Sequence, residues 1–434
     1  MNSYLISQAT LPDGSTADLL LENGVIAKIG IGIENSQAIR IDAQGCRVLP
    51  GFVDLHTHLR EPGREESETI RSGSQSAAKG GYTAVSAMAN TFPVADTAGV
   101  VEQVLRLGQE AGYCDVFPIG AVTQGIAGKQ LAELGAMAES AAKVRIFSDD
   151  GNCVSDPMVM RRALEYVKQF NGVIAQHAQD PALTHGAQMN EGVVSSGLGL
   201  KGWPAVAEEA IIARDILLAG HVSSRIHICH LTTAGGVDLI RWAKARGINV
   251  TAEVTPHHLL LTDEEAISYN PVFKVNPPLR TQVDVLALRQ GLADGTIDIV
   301  ATDHAPHPSE SKECEWQEAA FGMLGLETAY SIVQLTMVDS GLMSWTDLID
   351  RMSTAPAKIG GYADQGQSIS VGNVANIVVV NPSATWRVDK DLVQSRSRNT
   401  PFHGMQLPGV IRYTFYKGNM TVSQSRIVEW PKNA

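Results

Sequence analysis

Cysteine is scarce in this chain. Its 434 residues include five, Cys46, Cys114, Cys153, Cys229 and Cys314, odd in number and never in a Cys-x-x-Cys pair. That excludes a disulfide framework or a thiolate zinc site as the basis of the fold, and reduced thiols are expected. No apolar run approaches the roughly 20 residues of a membrane-spanning helix. The opening MNSYLISQATLPDG lacks the basic stretch and apolar core of a signal peptide, so a soluble cytoplasmic protein without membrane contacts is expected. Basic residues are outnumbered, 34 Lys and Arg against 46 Asp and Glu, for a formal net charge of -12. An electrostatic nucleic-acid binder is therefore not expected. What is abundant is apolar material: 44% hydrophobic and 18% charged residues exclude intrinsic disorder, and the length suits one large domain with a satellite.

The first fifty residues carry short β-type runs, Asp18 to Leu21 and Val25 to Ile29, punctuated by the turn signals Asp13-Gly14 and Asn23-Gly24. The same texture returns at Ser368 to Gly372, Ala375 to Val380 and Val410 to Tyr416. These flanks, residues 1–49 and 361–434, are expected to pair into one small β-sandwich domain. Between them lie eight β-type runs: Val48 to Leu55, Thr83 to Met88, Val116 to Val122, Lys143 to Phe147, Val173 to Ala175, Arg225 to Ile228, Ile248 to Ala252 and Ile297 to Ala301. Helical periodicity fills the intervals, as in Met158 to Phe170 and Ala205 to Leu218. Eightfold β/α alternation predicts an α/β fold, a TIM-type (β/α)8 barrel over residues 50–360.

In such a barrel, chemistry sits where the strands end. Here they end in histidine and aspartate: Asp54-Leu55-His56-Thr57-His58, Ser148-Asp149-Asp150, Gln176-His177, Cys229-His230, Pro256-His257-His258 and Thr302-Asp303-His304. His56 and His58, one residue apart on a strand, point to the same side and can share a metal. Imidazole suits zinc, and a carboxylate can bridge two cations. We expect His56, His58 and Asp303 on one ion, His177 and His230 on the other, and Asp149 or Asp150 between them. One histidine alone would more simply be a hydrogen-bonded core residue; the set argues for metal.

The segments Asp54-Leu55-His56-Thr57-His58-Leu59-Arg60-Glu61-Pro62 and Ala301-Thr302-Asp303-His304-Ala305-Pro306-His307, followed by Lys312, resemble the two signature segments of the dihydroorotases, and the likeness runs over almost the whole chain. Dihydroorotases belong to the metal-dependent amidohydrolase superfamily, and this chain is similar to their longer bacterial class. The resemblance implies two Zn2+ per chain on His56, His58, His177, His230 and Asp303. It implies an aspartate bridge, for which it favours Asp150, where hydantoinases and allantoinases use a carboxylated lysine. The nearest lysine, Lys143, begins its strand and is out of place for that role. By the same resemblance His58, Arg60, Asn90, Asn276, His307, Phe321 and Gly322 contact the substrate.

The implied reaction is the reversible closure of N-carbamoyl-L-aspartate to L-dihydroorotate in pyrimidine biosynthesis, through a hydroxide bridging the zinc pair, with Asp303 carrying the proton. An acidic protein binding an anion needs a local cation, and Arg60 supplies a planar fork for a carboxylate; otherwise Arg60 would brace its loop against Asp54 or Glu61. His257 and His258 are expected to support the ligands, His304 to point away, and His185, His221 and His403 to be ordinary surface or helix residues. The resemblance also implies a homodimer and, for some longer-class relatives, association with aspartate carbamoyltransferase. The alternatives are an allantoinase or hydantoinase, a non-catalytic scaffold relative, and a deaminase. The metal could also be cobalt or manganese.

Overall fold

A computed structural model describes residues 2–429. The N-terminal segment forms β1 (Tyr4–Thr10), β2 (Thr16–Glu22), β3 (Val25–Gly30), β4 (Ile39–Asp42) and β5 (Arg47–Pro50). Asn23 and Gly24 both take positive φ, as a two-residue hairpin turn requires, and join β2 to β3 antiparallel. The central segment carries β6 (Phe52–Thr57), β7 (Tyr82–Ala87), β8 (Asp115–Pro118), β9 (Ile146–Phe147), β10 (Val173–Gln176), β11 (Met189–Asn190), β12 (Gly202–Trp203), β13 (Ile226–Ile228), β14 (Val250–Val254) and β15 (Ile299–Val300). The C-terminal segment adds β16 (Ile377–Arg387), β17 (Gln406–Tyr416), β18 (Asn419–Ser423) and β19 (Arg426–Ile427).

The fold is α/β with parallel central sheets. Strands β6-β7-β8 form one sheet and β15-β14-β13-β10-β9 another, every neighbouring pair parallel. Isolated parallel bridges, Gly120 to Phe147 and Thr57 to His304, link the two sheets on both sides. Every residue of β6, β7, β10 and β13 is buried, as expected where helices cover a parallel sheet. The helix at Pro157–Val167 shows why these segments coil: Asp156 caps the amides of Met158 and Val159, Pro157 fits the first turn, and Met160, Ala163, Leu164 and Val167 form one buried stripe.

Several expected strands differ: Val116 to Val122 ends at Pro118, and Ile297 to Ala301 keeps only Ile299 and Val300. The run Val48 to Leu55 divides at Gly51 between two sheets, and a Cβ at Gly51 would collide with the Thr83 side chain. Lys143 to Phe147 shrinks to its last two residues, because Lys143 has φ 48° and leaves the extended region. Ser368 to Gly372 is a turn, held by the Asn373 side-chain amide on Ser368 O and by Gly372 at φ 92°.

The two chain ends meet in one nine-stranded sheet, β19-β18-β17-β16-β5-β1-β2-β3 with β4 beside β1. Its two faces are separated by the strand period: Ile377 and Val379 enter a core with Tyr4, Ile6 and Phe415, while Val378 and Val380 pack onto the core of the central sheets. No helix of the described residues is long and apolar enough to cross a membrane.

Candidate active site

Strand β6 presents Asp54 and His56 on one side, with His58 just beyond its end. The Asp54 carboxylate accepts from His56 N at 3.0 Å and Thr302 N at 3.1 Å, tying the ends of β6 and β15 into register. His230 and Asp303 sit at φ 30° and 45°, left-handed conformations that non-glycine residues adopt only where surrounding structure enforces them.

Six predicted residues converge. Asp150 Oδ1 lies 3.4 Å from His56 Nε2, 3.2 Å from His177 Nδ1 and 3.1 Å from His230 Nε2, and Oδ2 lies 3.3 Å from His58 Nε2. Asp303 Oδ1 lies 3.0 Å from His58 Nε2 and 3.5 Å from His56 Nε2. The structure turns Asp149 away: its carboxylate takes the amides of Val122 and Thr123 at 2.8 and 2.9 Å and the Thr123 hydroxyl.

The outward nitrogens of three imidazoles are already committed. His56 Nδ1 donates to Glu253 at 2.5 Å, His58 Nδ1 to Asn90 Oδ1 at 2.9 Å, and His177 Nε2 to Gln179 Oε1 at 2.7 Å. Each then aims its other nitrogen, with its lone pair, at carboxylate oxygens and at neighbouring imidazoles; His177 Nδ1 and His230 Nε2 are only 2.8 Å apart. His56 Nε2 is buried with no hydrogen-bond partner. Carboxylates and imidazoles this close need cations among them, either protons on the rings or a metal, and a donor set of imidazole nitrogens and carboxylate oxygens fits metal. Ligand-capable atoms of His56, Asp150 and His230, and of His56, His58 and Asp303, form two groups each within 4.8 Å, sharing His56.

The charges are strongly shifted. Burial pushes His56 down, but Asp150, Glu253 and Asp303 outweigh it and hold the ring well above the ordinary histidine range. Burial alone would raise Asp150 and Asp303; the adjoining histidines instead hold Asp150 well below the carboxylate range and Asp303 at about 2. Burial lowers His257 to about 4, so that ring stays neutral at pH 7, and its Nε2 is buried without a partner.

The predicted substrate contacts adjoin this centre. Arg60, buried and at φ 64°, donates from Nε to Pro306 O at 3.1 Å, and its Nη2 lies 3.4 Å from His307 Nε2. It pairs with neither Asp54 nor Glu61: Asp54 is occupied as above, and Glu61 accepts from Ile70 N at 2.8 Å. Asn276 donates to Gln179 at 3.2 Å, leaving its Oδ1 buried and unpartnered. His307 Nε2 donates to Phe321 O at 2.7 Å, while Gly322 N donates to Lys274 O at 2.9 Å. His304 faces Glu68 at 3.5 Å and accepts from Gly325 N, away from the histidine cluster. His258 bonds Thr255 and the carbonyls of Pro277 and Pro278; His185, His221 and His403 are exposed.

Sequence reasoning missed Glu253 and Gln179. Glu253 is buried and joins His56 Nδ1, His230 N at 3.1 Å and His227 Nε2 at 3.0 Å. Its signal was available: it is the one charged residue within β14. Gln179 lies two residues past His177 and couples that ring to Asn276.

A dihydro-orotase-like family model matches residues 45–235. The dihydroorotase of Streptomyces coelicolor is 63% identical over 427 residues, covering 98% of this chain and 100% of that protein. That of Mycobacterium tuberculosis is 54% identical over 417 residues, 96% of this chain and 97% of the relative. Among solved structures, L-hydantoinase (dihydropyrimidinase) from Arthrobacter aurescens superimposes with a TM-score of 0.88 at 26% identity, covering 99% of this chain and 98% of that one. Dihydropyrimidinase from Brevibacillus agri gives 0.85 at 22%, covering 98% and 96%, a likeness of fold. Full-length identity of this degree, on a chain that carries both signature segments around one histidine and aspartate cluster, shows that it belongs to the dihydroorotase family.

Proposed function

We propose that this chain catalyses the reaction its relatives are named for, the reversible cyclisation of N-carbamoyl-L-aspartate to L-dihydroorotate in pyrimidine biosynthesis. The observation that carries this reading is the adjacency of two features: a cluster of four imidazoles and two carboxylates, and a buried arginine with no carboxylate partner among the described residues. His56, His58 and Asp303 would hold one zinc, His177 and His230 a second, with Asp150 between them. Metal bound there supplies a water of lowered pKa and a Lewis acid for the amide carbonyl.

The protein groups do the rest. Arg60 offers its unpaired fork to the substrate α-carboxylate. Asn90, whose Oδ1 is taken by His58, keeps its amide N–H for the same anion. Asn276 turns its unpartnered Oδ1 toward a ring N–H. In the hydrolytic direction water adds to the ring carbonyl, Asp303 takes the proton, and the C–N bond breaks as Asp303 delivers that proton to the departing nitrogen. Cyclisation reverses each step. His307, which burial together with the charges of Arg60 and Lys312 holds at about 3, stays neutral and adds no competing charge.

The two bridges between the parallel sheets support closure into a TIM-type barrel over residues 50–360. The enclosed core of the nine-stranded sheet supports a β-sandwich made from residues 1–49 and 361–434.

Metal analysis and turnover test the reading together. About two zinc ions per chain and selective loss of dihydroorotate absorbance support it. Turnover of hydantoin or allantoin alone would move the assignment to another cyclic amide, and absence of metal and turnover would leave a scaffold.

A further inference from the structure

Two buried lysines lie beside the Arg60 subsite without a carboxylate. Lys312 Nζ donates all three of its protons to backbone carbonyls: Lys274 O at 3.0 Å, Ala320 O at 2.8 Å and Gly322 O at 3.1 Å. Lys274 Nζ donates to Trp316 O at 2.7 Å and Gln317 O at 3.0 Å, and stands 4.5 Å over the Phe321 ring. Both are nearly fully buried, and neither forms an ion pair among the described residues. Burial pulls both ammonium groups below the usual lysine range. Lysine is seldom buried unpaired, and an unneutralised buried charge is unfavourable. A structural loop could be held by neutral side chains, so the placement calls for a reason.

Their bonds converge on the Gly322 peptide. Its N–H is held by Lys274 O, and its C=O by Lys312 Nζ and by Asn399 Nδ2 at 3.2 Å. Asn399, from the C-terminal segment, also donates to Ala305 O at 2.9 Å and accepts from His307 N at 3.2 Å. Gly322 itself is at φ 145°, where a Cβ would lie 2.7 Å from His307 Nε2 and 2.8 Å from Ala305 Cβ. The stretch from Ala305 to Gly322 is thus pinned at both ends. It includes His307 and Phe321, and the carbonyl of Pro306 within it orients Arg60.

We propose that Lys312 and Asn399 are positioning residues that hold the Pro306 to Gly322 loop against the Lys274 to Asn276 segment, so that Arg60, His307 and Asn276 surround the anionic substrate in one fixed geometry. The inference rests on the substrate reading above.

The test uses the full-length metal-loaded enzyme and Lys312→Met, with Asn399→Ala as a second variant should the first not fold. Hydrogen exchange of peptides spanning residues 305–323 reads loop order without substrate; steady-state kinetics with L-dihydroorotate reads its consequence. The expected result is faster exchange in that segment, unchanged metal content, a KM raised at least tenfold and kcat within about threefold of wild type. A wild-type KM, or a loss confined to kcat or to metal content, overturns the proposal. Failure of the wild-type enzyme to turn over dihydroorotate sinks the substrate reading instead, while the exchange comparison still decides the staple.

Discussion

Replacing Arg60 with methionine keeps most of the apolar stem and removes only the guanidinium. In the free enzyme that group makes one firm contact, Nε to Pro306 O at 3.1 Å, so folding should lose only about 1 kcal/mol. Substrate binding should lose far more. Arg60 is only 7% exposed, and its charge is kept at neutral pH although burial, with Arg64 adding to it, lowers it to about 10. A carboxylate buried against it and then deprived of it should cost about 2 to 5 kcal/mol. At about 1.36 kcal/mol per factor of ten, that is roughly 30-fold to several-thousand-fold in kcat/KM. The contact exists in ground and transition states alike, so the loss should fall mainly on KM. Dihydroorotate turnover followed by ultraviolet absorbance, with N-carbamoyl-L-aspartate in the reverse direction, separates the two constants. Arg60→Lys should recover part of the effect, since it restores charge without the fork. If Arg60→Met has a KM within twofold of wild type in both directions, the carboxylate subsite is elsewhere.

Asp303→Asn, assayed with zinc in excess and the metal measured so that only loaded enzyme is compared, should lower kcat by about 10²- to 10⁴-fold, and retained kcat would remove it as proton carrier. Glu253→Gln, which disturbs the acceptor of His56 Nδ1, should weaken zinc about 10- to 100-fold in a chelator competition; unchanged affinity would make Glu253 a folding residue only. Gly322→Ala forces a Cβ against His307 and should destabilise by about 1 to 3 kcal/mol, read as a lower urea midpoint, with an unaltered midpoint counting against the tight approach. Burial raises Asp215 to about 6, against about 3.9 when unfolded, with Arg214 and Gln176 opposing. The folded state therefore holds its proton more tightly, and that contribution is fully present below about pH 4 and lost as pH rises through 6. Asp215→Asn should lack this decline, on the order of 3 kcal/mol at most, in urea titrations from pH 4 to 7. Parallel profiles for the two proteins would contradict it.

Much of this protein could be read along the chain because its local signals are periodic. Alternating β and α patterns located the eight strands of the three- and five-stranded parallel sheets to within a few residues, though not the short pair β11 and β12, and the His-x-His spacing on one strand put both rings on one side without knowledge of any neighbour. Histidines and aspartates at strand ends marked the site because in parallel α/β folds those ends converge. What failed locally failed for tertiary reasons. One apolar run divides at Gly51 between two sheets, and the close approach that keeps a side chain out of that position comes from Thr83, a residue 32 positions away. The choice between Asp149 and Asp150 could not be made from adjacent identical side chains. It was made by the amides of Val122 and Thr123, which claim one carboxylate and leave the other to face the histidines. Glu253 and Asn399 carry no motif that announces their partners, since each acts on residues brought near only by folding. The sequence by itself determined the chemistry available, imidazole, carboxylate and guanidinium at the ends of strands. Only the tertiary structure decided which ring nitrogens meet, because hydrogen bonds from the distant Glu253 and Asn90 commit one nitrogen of His56 and of His58 and turn the other inward.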